Sequence, residues 1–175
     1  MEIIKEKRRS ITFSFSEDGK FLVRAPIFLN DQKILKILSQ NSAKIEKMKK
    51  REEAFRKAVS TYSEGELLEK GKRKIEERLG FWEEKMGLFP KSVKITSAKG
   101  RFGSCSSKGN ICFSKYLFMR SNEEIDYVFV HELAHLKEMN HSDRFYKIIA
   151  SVMPNYKIYK AALKKANFSE GGENN

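Results

Sequence analysis

Apolar and polar positions alternate between residues 10 and 25. Ile11, Phe13 and Phe15 fall on one side, and Phe21, Val23 and Ala25 follow after the polar break Glu17-Asp18-Gly19-Lys20. A period of two interrupted by an Asp-Gly pair predicts a β-hairpin with one buried face. Pro26 ends the second strand, since proline has no N–H to give to a ladder. Asn30 or Asp31 can then cap a helix whose apolar positions Ile34, Leu35, Ile37 and Leu38 recur at helical spacing. This helix is expected to run on into the charged stretch around Lys49 to Arg56. A second helix is expected from about Ser63 to Met86, with Leu67, Leu68, Ile75, Leu79, Phe81 and Trp82 as its apolar stripe.

After Gly87 and Pro90 the pattern changes again. Val93 and Ile95 flank Lys94 in one short strand, Ile111 to Phe113 make another, and glycines stand between them at 100, 103 and 109. That spacing predicts two or three short antiparallel strands joined by tight turns. Helices return over Ser121 to Met139, Ser142 to Met153 and Asn155 to Ala166. The expected fold class is α+β: helices packed on a small antiparallel sheet, with an N-terminal β-hairpin and helix. The expected division is a hairpin and basic helix over 1–60, a core over 61–168, and a disordered tail over 169–175, where nothing apolar is available to bury.

Composition narrows the setting. No stretch approaches the ~18 consecutive apolar residues of a membrane span, and Glu2, Lys5, Glu6 and Lys7 stand where a signal peptide needs its apolar core. Cys105 and Cys112 are the two cysteines, far from a disulfide framework. The chain is expected to be cytoplasmic, with no membrane partner. Its formal charge of +12 points toward a polyanion such as nucleic acid or a nucleotide. The excess is concentrated early, however, with 19 Lys+Arg against 11 Asp+Glu in residues 1–75 and 16 against 12 in the remainder. Along Lys44 to Glu53 and Glu66 to Glu77 the basic residues are interleaved with acids, which favours a solvated helical face over a nucleic-acid groove. Oligomeric state is not legible.

Chemistry enters at His131-Glu132-Leu133-Ala134-His135. This H-E-x-x-H run lies in a helix with its own support: Ser121-Asn122-Glu123-Glu124 is a capping box, and Ile125, Val128, Phe129, Leu133 and Leu136 supply the buried side. At ~100° per residue, positions 131 and 135 differ by about 40° around the axis, so both imidazoles project from one face and can share one tetrahedral zinc. Glu132 lies at the edge of that face, placed to hold a metal-bound water without being a ligand.

A catalytic zinc needs a third protein ligand and an open position. The chain has three histidines, and the third is His141. No Asp or Glu occurs between Asp143 and Glu170, and Asp143 is better explained by the cap of the next helix. For His141 to reach back, the helix is expected to stop just after Met139, with Asn140 taking the left-handed conformation. The spacing is that of metzincins, with Glu138 where they carry glycine. Zn2+ held by His131, His135 and His141 would lower the pKa of a bound water to about 7 and polarise a carbonyl, with Glu132 as general base. Arg101, Tyr127 and Arg144 are the candidates for meeting the developing oxyanion.

These residues resemble a known family. Arg101-Phe102-Gly103-Ser104-Cys105, Gly109-Asn110-Ile111, the helix from Ile125 to Leu136, Asn140-His141-Ser142 and Met153-Pro154 resemble the YgjP-like metallopeptidase domain over roughly residues 91 to 166. That family is related in fold to the SprT-like and WLM zinc peptidases. Arg8-Arg9-Ser10 and Val23-Arg24-Ala25-Pro26 resemble its less distinctive start. The resemblance implies a zincin-like core with a three-histidine zinc site, a glutamate base and a peptide or protein substrate. It also singles out Arg101, Gly103, Ser104 and Cys105 as a strand and turn beside the metal helix, and hence as substrate-contacting candidates.

Cys105 reads most simply as a buried strand residue. A turn centred on Lys108-Gly109 would set Cys105 and Cys112 facing each other across a hairpin. Beside the peptidase reading stand a metal-dependent nucleotide phosphohydrolase, motivated by the basic charge, and a protease whose basic first half holds DNA, as the SprT-like and WLM relatives suggest. A basic binding module carrying a dead site is the non-enzymatic alternative.

Overall fold

The computed structural model describes residues 1–16 and 18–166; the tail expected at 169–175 lies outside the described residues. The chain divides into two units, Met1–Ala58 and Val59–Asn175. Helices packed on two small sheets make the fold α+β, as the patterning predicts.

In the N-terminal unit the hairpin forms from β2 (Thr12–Phe15) and β3 (Phe21–Pro26), with Phe13 opposite Val23 and Phe15 opposite Phe21. Those alternating residues pack with Ile34 and Ile45 in one apolar cluster, so the period of two located the buried face. A strand with no counterpart in the sequence expectations, β1 (Glu2–Glu6), pairs parallel to β3. Its adjacent Ile3 and Ile4 carry no alternation, and it is a largely exposed edge strand. The first helix is broken where it was expected to continue: α1 (Asp31–Gln40), capped by Asn30, ends at Asn41, and α2 (Ser42–Val59) follows. The Asn41 side-chain amide donates to the Ile37 carbonyl at 2.8 Å. This local bond competes with helix continuation.

In the C-terminal unit, Ser63 and Glu66 form a reciprocal capping box at the start of α3 (Glu64–Lys74). A π-helical turn (Ile75–Leu79) leads into α4 (Gly80–Met86). The single helix expected there therefore carries one wide turn. Arg78, within that turn, forms a two-pronged ion pair with Asp126, its Nε donating to Oδ1 at 2.7 Å and its Nη2 to Oδ2. The carboxylate is almost wholly buried. The pair ties the wide turn to α5 (Asn122–Ala134), the helix that carries the H-E-x-x-H run.

The sheet of this unit is mixed, which corrects the antiparallel expectation. Its strands β4 (Ser92–Thr96), β5 (Gly103–Cys105) and β6 (Asn110–Ser114) take the order β4-β6-β5. The chain leaves β4, crosses to the far edge and returns between the first two strands. The returning β6 is antiparallel to β5 and parallel to β4. The turn from β5 to β6 holds three residues between the paired Ser106 and Asn110, with Gly109 left-handed at φ 79°. A loop of that length shifts the register by one residue relative to a two-residue turn. Cys105 therefore opposes Ile111, and Cys112 opposes Ser104. The two thiols lie on opposite faces and are free, which overturns their expected approach.

Core-facing strand residues (Val93, Ile95, Ile111, Phe113) meet Phe129, Val130 and Leu133 of α5, and Phe113 packs edge-on against Phe129 at 4.7 Å. Burying each such side chain contributes about 1.5–3 kcal/mol. The Arg78–Asp126 pair brings an ion pair to the edge of this packing. Asp126→Ala is expected to lower stability by about 3 kcal/mol, because it leaves a partly buried guanidinium without its partner. Urea denaturation measures it, and a double-mutant cycle with Arg78→Ala should return a coupling of at least ~1 kcal/mol.

Candidate metal centre

Helix α5 begins as its capping box predicts, with the Ser121 hydroxyl accepting from the Glu124 N–H and the Glu124 carboxylate accepting from the Ser121 N–H. It ends earlier than expected. His135 is the C-cap, and the chain tightens into i→i+3 bonds from Leu136 N–H to Leu133 and from Lys137 N–H to Ala134. No residue other than glycine has a positive φ among the described residues, so Asn140 is not left-handed. The reversal is made instead by ending the helix at Ala134, five residues before Met139. Ser142 then caps α6 (Asp143–Val152), which leads to α7 (Tyr156–Ala166).

This reversal brings His141 back onto α5. The Nε2 atoms of His131 and His135 lie 3.3 Å apart, and those of His131 and His141 3.1 Å apart. One ligand atom from each of the three rings lies within 4.8 Å of the others. Nitrogens bound at 2.0–2.1 Å with tetrahedral angles would sit about 3.3 Å from one another. The outer nitrogens are also engaged. His135 Nδ1 lies 3.1 Å from the Glu138 carbonyl, which can only accept, so this nitrogen carries the proton and Nε2 keeps its lone pair. His131 Nδ1 has the Tyr127 hydroxyl at 3.4 Å. Such outer partners fix ring orientation and tautomer in metal-binding histidines.

Burial, and then the charges of His135, His141 and Lys160, lower the His131 pKa to about 3. Burial likewise lowers that of His135. Both imidazoles are thereby kept neutral, the form that coordinates a metal. Glu132 is 5% exposed, and burial raises its pKa to about 8, with Arg101 pulling the other way. A divalent cation beside it would restore the ionised form.

Two features of the site have no signal in the motif. Phe145, fully buried, lies beneath all three imidazoles, with ring centres 4.9, 4.5 and 4.9 Å from those of His131, His135 and His141. Only the spacing of the helix after His141 could have pointed to it. Gly103 is the other. A Cβ there would stand 2.6 Å from Glu132 Oε1 and 2.7 Å from its Cγ, so β5 can lie against α5 only with hydrogen at this position.

An open cleft of about 690 Å³ covers the cluster, lined by Arg101, Gly103, Ser104 and Cys105 on the strand side and by Glu132, the three histidines, Met139, Asn140, Ser142 and Tyr146 on the helical side. Four of the substrate-contacting candidates thus gather with the histidines and Glu132. Tyr127 and Arg144 do not line the cleft. Tyr127 is buried behind His131, and Arg144 is exposed and pairs with Glu138 at 3.2 Å. Tyr146 does line it, though sequence reasoning passed over it; its hydroxyl accepts from Lys160 Nζ at 2.7 Å.

The family model of the YgjP-like metallopeptidase domain matches residues 50–166. The chain belongs to this family. As a YgjP-like domain it is a metal-dependent peptidase by family, and the histidine cluster is positioned to bind the metal ion that membership implies. Among solved structures it is similar to the metallopeptidase zymogen of Pyrococcus abyssi abylysin, at 27% identity over 51% of this chain and 90% of that one, with a TM-score of 0.47. No curated protein matches. No helix among the described residues is long and apolar enough to cross a membrane.

Loss of an outer hydrogen bond typically weakens metal affinity 10–100-fold. Tyr127→Phe is accordingly expected to weaken binding of an added divalent metal ion by roughly 10-fold without altering the stoichiometry, measured by competition with a chromophoric chelator.

Proposed function

We propose that this YgjP-like domain is a zinc peptidase in which His131, His135 and His141 hold the metal and Glu132 is the general base. The observation that carries this reading is the convergence of three imidazoles, with two Nε2 pairs at 3.1 and 3.3 Å, in a cleft that also contains one buried carboxylate. Three nitrogen donors with no thiolate among them suit zinc with one coordination position left open. Zinc bound there would acidify a coordinated water and polarise the scissile carbonyl.

The remaining work falls to the chain. Glu132 takes the water's proton at its carboxylate and delivers it to the departing amine nitrogen. Burial suits this second step, since a carboxyl with a raised pKa holds a proton until the leaving group accepts it. Phe145 and the hydrogen-bonded outer nitrogens keep the imidazole rings from turning. β5 is an edge strand and forms one wall of the cleft, so its free backbone groups can pair with an extended peptide laid across the histidines. A cleft of that volume and openness fits several peptide residues better than a compact phosphate group, which favours peptide over nucleotide chemistry.

Purified protein is expected to carry about one equivalent of zinc and to hydrolyse casein or unstructured peptides. Glu132→Gln should keep the metal and lose roughly 10³-fold in kcat. Glutamate-dependent hydrolysis of nucleoside triphosphates with peptides left intact would replace the peptidase reading with the phosphohydrolase. Gly103→Ala should retain the metal yet lower kcat by roughly 10²-fold, as expected when a base is displaced by about 1 Å.

A further inference from the structure

The face of the β4-β6-β5 sheet turned away from α5 is polar at one end. Side chains alternate along each strand, so Gly103 and Cys105 face the metal helix while Ser104, with its neighbour Cys112, faces the other way. Thr96 and Ser114 stand side by side at the ends of β4 and β6. Ala98 and Arg101, from the crossover between β4 and β5, close over them. Together these residues line a second pocket of about 150 Å³. Arg101, Gly103 and Ser104 line both this pocket and the metal cleft, so the two spaces share the edge strand as their common wall.

The polar groups in this pocket differ in what they have left to offer. The Ser114 hydroxyl donates to the Ala98 carbonyl at 2.5 Å, and the Thr96 hydroxyl donates to the Phe113 carbonyl at 3.4 Å. Neither hydrogen is available to a ligand. Arg101 is exposed and appears in no ion pair or hydrogen bond among the described residues, and the Ser104 hydroxyl is likewise unengaged. The one carboxylate in the adjoining cleft, Glu132, acts on Arg101 through its charge alone. A guanidinium in this position presents a planar fork of donors that matches a carboxylate.

From this geometry we infer that Arg101 and Ser104 form an anionic subsite that binds a carboxylate of the substrate peptide, next to the residue whose carbonyl lies over the histidines. The inference rests on the peptidase reading and gives it a substrate class: acidic peptides. A peptide paired with the edge of β5 points successive side chains to opposite faces of the sheet. A residue lying toward the metal cleft therefore has a neighbour directed to the outer face, where Arg101 and the pocket stand. The carboxylate can come from an Asp or Glu side chain or from the peptide's C-terminus, and 150 Å³ accommodates either.

Binding can be separated from turnover by using full-length, zinc-loaded Glu132→Gln protein and fluorescence anisotropy. The probes are labelled peptides of one sequence in four forms: Glu, Gln or Lys at a single position with an amidated C-terminus, and the Gln form with a free C-terminus. Placing the variable residue at each position in turn removes any need to know the register. The subsite predicts at least one position where Glu binds about 10-fold more tightly than Gln. Adding Arg101→Gln should erase that difference, and Arg101→Glu should reverse it in favour of Lys, a result that simple loss of structure does not produce. Tight binding of the Glu peptide assigns the site to a side chain, and tight binding of the free-carboxylate peptide alone assigns it to a C-terminus. Equal binding of all four forms, or a preference that survives Arg101→Gln, overturns the subsite. Because catalysis is absent from this assay, a wild-type enzyme that cleaves peptides without charge preference sinks the subsite alone. Acid-selective binding by a protein that cleaves no peptide sinks the peptidase reading alone.

Discussion

Three imidazoles meet in one cluster only because each ring is prevented from turning away, with Nε2 of His131 3.3 Å from that of His135 and 3.1 Å from that of His141. A cation on His131 would be desolvated beside its neighbours, so burial and the adjacent histidines both drive its pKa down. Orientation comes from outside the triad. The Glu138 carbonyl holds one ring, the Tyr127 hydroxyl another, and Phe145 packs beneath all three. The early end of α5 supplies the rest, because a helix that continued to Met139 would carry the third histidine along the axis and away from the first two.

The same economy governs the strand beside the helix. Gly103 lets the backbone of β5 approach Glu132 closely enough to bury the carboxylate, and burial raises its proton affinity. As the sheet's edge, β5 also retains unpaired backbone groups toward the cleft. One short strand therefore both buries the carboxylate of the cleft and leaves an open sheet edge beside it. Both follow from the crossover that places the last strand in the middle of the sheet, since a simple meander would have left β5 in the centre and its backbone groups already paired.

What the sequence made legible divides along physical lines. The hairpin faces, the capping box at Ser121, and the shared face of positions 131 and 135 all follow from local periodicity or short-range hydrogen bonding, and these are the features read correctly. The break at Asn41 and the early end of α5 escaped because each depends on bonds whose competition with helix propagation is decided by tertiary setting. The mixed sheet and the separation of Cys105 from Cys112 turn on strand order and on a one-residue difference in turn length, which alternation cannot resolve. Phe145 and Tyr146 looked like ordinary positions on an amphipathic helix, and only the reversal at 136–142 turns that face toward the histidines.

The chain's large positive charge deserves less weight than its magnitude suggests. Surface charges act over about 8 Å at physiological ionic strength, and many of the basic residues are matched at short range by acids one helical turn away, as in Lys49–Glu46 and Lys72–Glu69. Such pairs contribute little stability and leave little field for a distant ligand to sense. The charge that a substrate meets is set instead by the few groups inside its own cleft. Among those groups, burial raises the proton affinity of Glu132, while the Arg101 guanidinium stands exposed at the rim. The local field there is positive for a reason independent of the chain's net charge.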